Sequence, residues 1–237
     1  MKNSTTQISL SSAALIAGLG LLVMVMTTPF AEFFVFPKLV VPNNPAETVK
    51  NIMANVVLFR LAILGYLLTF ICDIVVAWAL YIFLKHVNEH FSLLAAWFRL
   101  IYTVISLVAL LNLVNVLRIL TSQSSTTMFD SNQLNVQVMF LLSAFRNEWL
   151  FAYIFFGIHL FLLGYLVFRA NYIPKILGIL LIIAGFGWLI DNLQPFLFSD
   201  FNVEFGMIVG WGELIFMLWL LIKGSKTTEI FEENKKN

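Results

Sequence analysis

Charge is scarce in this chain. Only 11% of its 237 residues are Asp, Glu, Lys or Arg, against about 25% in an ordinary soluble domain. A soluble fold needs polar surface to meet water, so the scarcity leaves lipid as the solvent. With a net charge of +1 there is no support for nucleic-acid binding, which needs a clustered basic footprint. The single cysteine, Cys72, allows no intrachain disulfide and reveals no redox compartment. Three histidines are too few for a metal or haem site built from converging ligands; His86 and His90, four apart, sit in a loop. No metal and no cofactor is expected. The G-x-S-x-G elbow, the HExxH zinc motif and the Walker loop do not occur, so no reaction class is indicated.

What is present is apolar: 60% of the residues are hydrophobic and the mean hydropathy is +0.91. At about 20 apolar residues per crossing, six helices fall near 12–36, 54–84, 92–117, 149–169, 174–195 and 204–222. The first run is too long for a signal-peptide core and no A-x-A-like site follows, so it reads as a retained span. Thr27-Thr28-Pro29 can kink it. The second is announced by Asn44 as cap, Pro45 at the first helical position and Glu47 three residues after the cap. A helix running from Pro45 to Leu84 would be about 60 Å long and would project beyond the hydrocarbon. Asp130 or Ser131 caps an amphipathic stretch, which either lies at the interface or extends the fourth span across 131–148. The short turn before Pro174 makes spans four and five antiparallel neighbours. The expected architecture is an all-α polytopic membrane bundle: one integral domain over 1–224, with a polar cytoplasmic tail at 225–237.

Lys and Arg concentrate in cytoplasmic loops. With the N-terminus inside, the inner set is Lys2, Lys85, Arg169, Lys175, Lys223, Lys226, Lys235 and Lys236, and the outer set is Lys38, Lys50, Arg118 and Arg146. Eight against four places both termini in the cytoplasm.

Ionisable residues inside hydrocarbon are costly and mark function by default. Asp73 stands twelve residues from Lys85, Arg99 nine from His90, His159 ten from Arg169 and Glu213 ten from Lys223. At 1.5 Å per residue each is about 14–18 Å from the inner boundary, near the middle of a ~30 Å core. Four helices thus bring Asp73, Arg99, His159 and Glu213 to one depth. Asn55, Tyr66 and Asp73 share a stripe, as do Glu148 and His159, and as do Gly206, Gly210 and Glu213. Helix three carries Arg99, Thr103 and Ser106 on one side and Asn112 and Asn115 on the other, which makes it central. Arg60, Tyr66, Asn112, Asn115 and Glu148 are the expected surroundings of the cluster, with Arg60 near the outer boundary.

Three readings fit such a cluster. It can bind or move a small polar solute, an ion or a proton; it can be a sealed ion-pair network that fixes helix register; or it can serve an intramembrane enzyme acting on lipid. Transport predicts a wet cavity, a structural role predicts a dry and paired core, and an enzyme predicts a lateral opening to lipid. The lipid-facing area of six helices is also compatible with a homo-oligomer.

The polar punctuation of the chain resembles a known family. The segments are Leu58-Phe59-Arg60-Leu61, Ile71-Cys72-Asp73-Ile74-Val75-Val76-Ala77, Leu84-Lys85-His86-Val87-Asn88 and Leu93-Leu94-Ala95-Ala96-Trp97-Phe98-Arg99-Leu100. They continue with Leu163-Gly164-Tyr165-Leu166-Val167-Phe168-Arg169, Ile173-Pro174, Leu177-Gly178 and Gly212-Glu213-Leu214 through Gly224. Together, from about Ala13 to Gly224, they are similar to the bacterial integral membrane family known as domain of unknown function 4386. The resemblance implies a multi-pass protein of the bacterial inner membrane and no catalytic residues to carry over. Arg60, Asp73, Arg99, Arg169 and Glu213 match its pattern; Thr121 to Gln137 match it least.

Overall fold

Backbone N–H and C=O groups have no water to bond inside lipid, so a chain this apolar satisfies them internally as helix. The computed structural model describes residues 8–122, 130–197, 205 and 210–224. Every regular element in them is helical: α1 (Leu10–Pro29), a π-helical stretch (Phe30–Val35), α2 (Phe36–Leu39), α3 (Pro45–Ala54), α4 (Val56–Leu84), α5 (Glu89–Thr121), α6 (Ser131–Arg169), α7 (Lys175–Leu197) and α8 (Trp211–Ile222). Five stretches are long and apolar enough to cross a membrane, beginning with the continuous run Leu10–Leu39; α8 is apolar but shorter. Residues 204 and 206–209 of the expected sixth span, and with them Gly206, lie outside the described residues, as does the tail at 225–237. Between 39% and 50% of each span's apolar window is buried inside the protein. Phe34, Val57, Leu64, Trp97 and Phe186 are among the large apolar side chains left exposed. Such surface is the chemistry of lipid contact.

Local residues explain the boundaries. Asn44 caps α3: its Oδ1 accepts from Glu47 N at 3.1 Å and its Nδ2 donates to Glu47 Oε2 at 2.8 Å. The unbroken helix from Pro45 to Leu84 does not form. Asn55 breaks it, with φ −129° and ψ 42°, its side chain donating to Asn51 O at 3.0 Å; a short amide that bonds the backbone locally competes with helix continuation. Residues 131–148 extend the fourth span, and α6 is one helix of 39 residues, about 58 Å long. It starts at Asp130, whose N–H donates to Gln133 Oε1 at 3.4 Å as half of a capping box. No Gly or Pro interrupts it before Gly157. The irregularity expected at Thr27-Thr28-Pro29 is the π-helical stretch directly after Pro29. Proline removes one helical donor, and Thr27 Oγ1 donates back to Val23 O at 2.9 Å.

The chain divides into two compact units. The first comprises Met1–Leu22, Asp73–Tyr102 and Tyr153–Asn237; the second comprises Val23–Cys72 and Thr103–Ala152. In the first, α6 and α7 form an antiparallel hairpin on a glycine seam. A Cβ on Gly164 would stand 2.7 Å from Gly178 O, and one on Gly185 would stand 2.8 Å from Gly157 O. The spacing of seven is the same on both helices, so a single register lets the backbones touch twice. The end of α4 is tied down by side chains: Tyr172 OH donates to Phe83 O at 2.8 Å and Ser92 Oγ to Tyr81 O at 3.1 Å. Both carbonyls lie in the last turn of α4; Tyr81 O also accepts from Lys85 N at 2.9 Å. Burial pushes the Tyr172 phenol above its ordinary range, so it remains a donor.

The second unit is organised around Tyr66, which is fully buried. Its ring lies 5.2 Å from that of Phe145 and 5.3 Å from that of Trp149, centroid to centroid. Thr69 bonds Thr27 at 2.7 Å and Thr28 at 3.1 Å, which pins α4 to the end of α1.

Candidate functional site

Arg99 is the hub of the first unit. It projects from α5, is 0% exposed and is the largest of the fully buried side chains. Its Nε donates to Asp73 Oδ1 at 2.8 Å and its NH2 lies 2.7 Å from the same oxygen. NH1 reaches His159 Nε2 at 3.1 Å and Glu213 Oε1 at 3.2 Å. The guanidinium also lies 5.5 Å from the Phe156 ring centroid, a cation–π distance. The four residues read from the sequence as one layer therefore meet at one guanidinium, from α4, α5, α6 and α8.

Donor and acceptor logic fixes the His159 tautomer. A guanidinium only donates, so Nε2 presents its lone pair to Arg99. Nδ1 lies 2.8 Å from Ala95 O, which only accepts, so the proton is on Nδ1. Ala95 and Arg99 are one turn apart on α5, and the imidazole bridges the two while bracing the guanidinium.

Two carboxyls share this one cation unequally. Asp73 is 0% exposed, whereas the Glu213 side chain is 23% exposed. Both donors that Arg99 turns to Asp73 go to Oδ1, and Asp73 Oδ2 has no hydrogen-bond partner among the described residues. A buried acceptor left without a donor costs about 1–3 kcal/mol, more when charged. A recess of ≈ 10 Å³, room for about one water, reaches His159. It is lined mainly by Ala77, Leu80, Ala96, Leu163 and Leu166, with Ser92 and Tyr81 as its polar members; this is a narrow apolar recess and not the wide wet cavity of a solute channel.

The residues expected around the cluster are built into the second unit. Tyr66 donates to Glu32. Asn112 donates to Glu148 Oε2 at 2.8 Å and to Ala109 O at 3.1 Å. Asn115 and Arg60 are exposed; Arg60 lies five residues into α4, near the end where it was expected. Helix α5 is thus polar on its buried side through Arg99, Thr103 and Ser106, all 0% exposed, but its other side is covered at Asn112 and open at Asn115. Sequence reasoning overlooked Glu32. It sits in the π-helical stretch, where Tyr66 OH donates to Oε1 and Arg146 NH1 to Oε2 at 2.8 Å. Its signal was an acid inside the first apolar run, four residues before the expected end.

Fold and site define a multi-pass helical membrane protein with an arginine-centred polar core. The profile of the family described as Domain of unknown function (DUF4386) matches residues 16–224, and the chain belongs to that family. An uncharacterised protein of Archaeoglobus fulgidus is 38% identical over 169 residues, which cover 71% of this chain and 87% of the relative. That relative is archaeal, although the resemblance pointed to bacteria. No solved structure matches the chain.

Proposed function

We propose that the protein binds a small cationic species at the Arg99 cluster and exchanges it through Glu213. The reading is of one integral domain over 1–224 in the cytoplasmic membrane of a bacterium, with both termini and the polar tail inside. The observation that carries it is the charge imbalance: a single guanidinium serves Asp73 and Glu213, while His159 offers Arg99 a lone pair and adds no cation. Buried charge is tolerated when paired, and Asp73 Oδ2 is a buried acceptor that lacks a donor. A bound cation would offset the excess carboxylate charge.

A ligand that binds only the folded state raises its stability by mass action. Thermal unfolding of the purified protein across pH, and with Li⁺, Na⁺, K⁺ and ammonium at constant ionic strength, tests the proposal. The expected result is stabilisation by one species, saturable and lost in Glu213→Gln. No stabilisation by any of them would remove the reading.

The rival is a device that sets helix register, and the complete burial of the Asp73–Arg99 pair favours it. Replacing buried ions jointly by apolar groups of similar volume is often neutral or stabilising. If Asp73→Leu, Arg99→Met and Glu213→Leu combined keep a stable fold and a wild-type cellular phenotype, the cluster is structural.

A further inference from the structure

We infer that the cation held by the Arg99 cluster is a proton, taken up by Glu213 and not by Asp73. The inference rests on the cation-binding reading and narrows it to one ligand.

Coordination demand decides between protons and metal ions. Hard metal cations need several oxygen ligands, six to eight for Ca²⁺ and near-ideal octahedral geometry for Mg²⁺. The cluster's acceptors are already committed: Asp73 Oδ1 takes two guanidinium contacts at 2.7 and 2.8 Å, Glu213 Oε1 takes one at 3.2 Å, and the His159 Nε2 lone pair faces Arg99 at 3.1 Å. Only the second oxygen of each carboxyl remains. Among the described residues no group of three or more His, Cys, Asp and Glu could hold a metal ion. A metal would also have to sit beside a guanidinium that cannot leave, since Arg99 is fully buried and tied to α4, α6 and α8 at once. A proton needs one lone pair, a demand these residues meet.

Exposure decides between the two carboxyls. Asp73 is sealed at 0%, whereas the Glu213 side chain is 23% exposed, so Glu213 is the carboxyl of the pair that a proton can reach without opening the core. A protonated Asp73 Oδ2 would in turn be a buried O–H without an acceptor, which replaces one unsatisfied group by another. The step is simple: the Glu213 carboxylate takes one proton, its bond to Arg99 weakens, and Asp73 keeps the guanidinium as a one-to-one pair. Among the described residues, the charged and titratable groups gathered with Glu213 are Arg99 from α5, Asp73 from α4 and His159 from α6. Along α8 and just past its end, the glycines meet uncharged atoms, the backbone carbonyl of Leu180 of α7 against Gly212 and the methyl of Ala14 of α1 against Gly224.

The test is infrared difference spectroscopy on the full chain in lipid nanodiscs, titrated through the acid and neutral range in H₂O and D₂O. One component of the protonated-carboxyl stretch should appear on acidification, shift in D₂O, be lost in Glu213→Gln, move in frequency in Glu213→Asp and persist in Glu47→Gln. It should not respond to Na⁺ or K⁺ at fixed pH. An envelope with no component lost in Glu213→Gln overturns the assignment. A band that Na⁺ or K⁺ removes at fixed pH overturns the proton while leaving the cation-binding reading intact. No band together with no cation-linked stabilisation overturns both. If Glu213→Gln does not purify as a monodisperse species, Glu213→Asp decides: a D₂O-sensitive component that moves in frequency supports Glu213, and an envelope in which none moves refutes it.

Discussion

At the scale of single residues, the cluster is a problem of one cation and several claimants. Removing that cation while leaving its partners buried is the costly substitution. Arg99→Met strands Asp73 at full burial, and breaking a buried pair in this way costs about 3–5 kcal/mol. Asp73→Asn keeps an acceptor for Arg99 and should cost clearly less, which chemical unfolding of both variants would show. His159→Ala should fall between them, because Arg99 keeps both carboxyls but loses its brace to Ala95 O. The four cluster residues were legible in the sequence for a physical reason: a charge within an apolar run has few reasons to be there, and helical rise converts its position into depth. Their surroundings were less legible. Spacing reports which side of a helix a residue occupies but not what covers that side, so Asn112 found Glu148 while the similarly placed Asn115 faces outward. Glu32 escaped because an acid near the expected end of a span resembles an interfacial residue. The π-helical stretch and the reach of Tyr66 and Arg146 show that it has protein partners.

At the scale of elements, spans were read well from apolar length, and their interruptions from side-chain chemistry less well. Asn55 is one polar residue in a helical context, and nothing in composition distinguishes a breaker from a passenger. In α6 the reverse holds: a polar stretch that could have lain at the interface continues the helix, because no Gly or Pro stops it. The α6–α7 seam gives a direct test of packing. Gly164→Ala places a methyl 2.7 Å from the backbone oxygen of Gly178, and backbone cannot rotate away. Overpacking of this kind costs about 1–3 kcal/mol. Gly65→Ala in α4 is the control, since its Cβ would meet Thr27 O at 3.6 Å, an ordinary contact. There the gain from replacing helical glycine, roughly 0.5–1 kcal/mol, should show as unchanged or raised thermal stability. Equal losses in the two variants would mean that the seam does not hold the hairpin.

At the scale of the whole molecule, orientation is where sequence and structure must be joined by experiment. The turn between α6 and α7 carries Arg169 and Lys175, and that between α4 and α5 carries Lys85; all three belong to the set that the charge bias assigns to the cytoplasm. Bond geometry links these turns independently of charge, because Tyr172 from one donates to Phe83 at the end of the helix that enters the other. They must therefore lie on the same side, and a topology that splits them is excluded. The single cysteine makes the side measurable. In a Cys72→Ser background, Asn171→Cys and His86→Cys at exposed turn positions should react with an impermeant maleimide only after the cells are opened. Ala46→Cys, exposed on α3, should react in intact cells. Reversal of both results would invert the orientation without disturbing the fold. If Asn171→Cys and His86→Cys labelled from different sides, the bond joining the two turns would not exist in the membrane, and the packing of the first unit with its Arg99 cluster would have to be rebuilt. Agreement would place the Lys85, Arg169 and Lys175 end in the cytoplasm and fix the direction from which depth to Glu213 is measured.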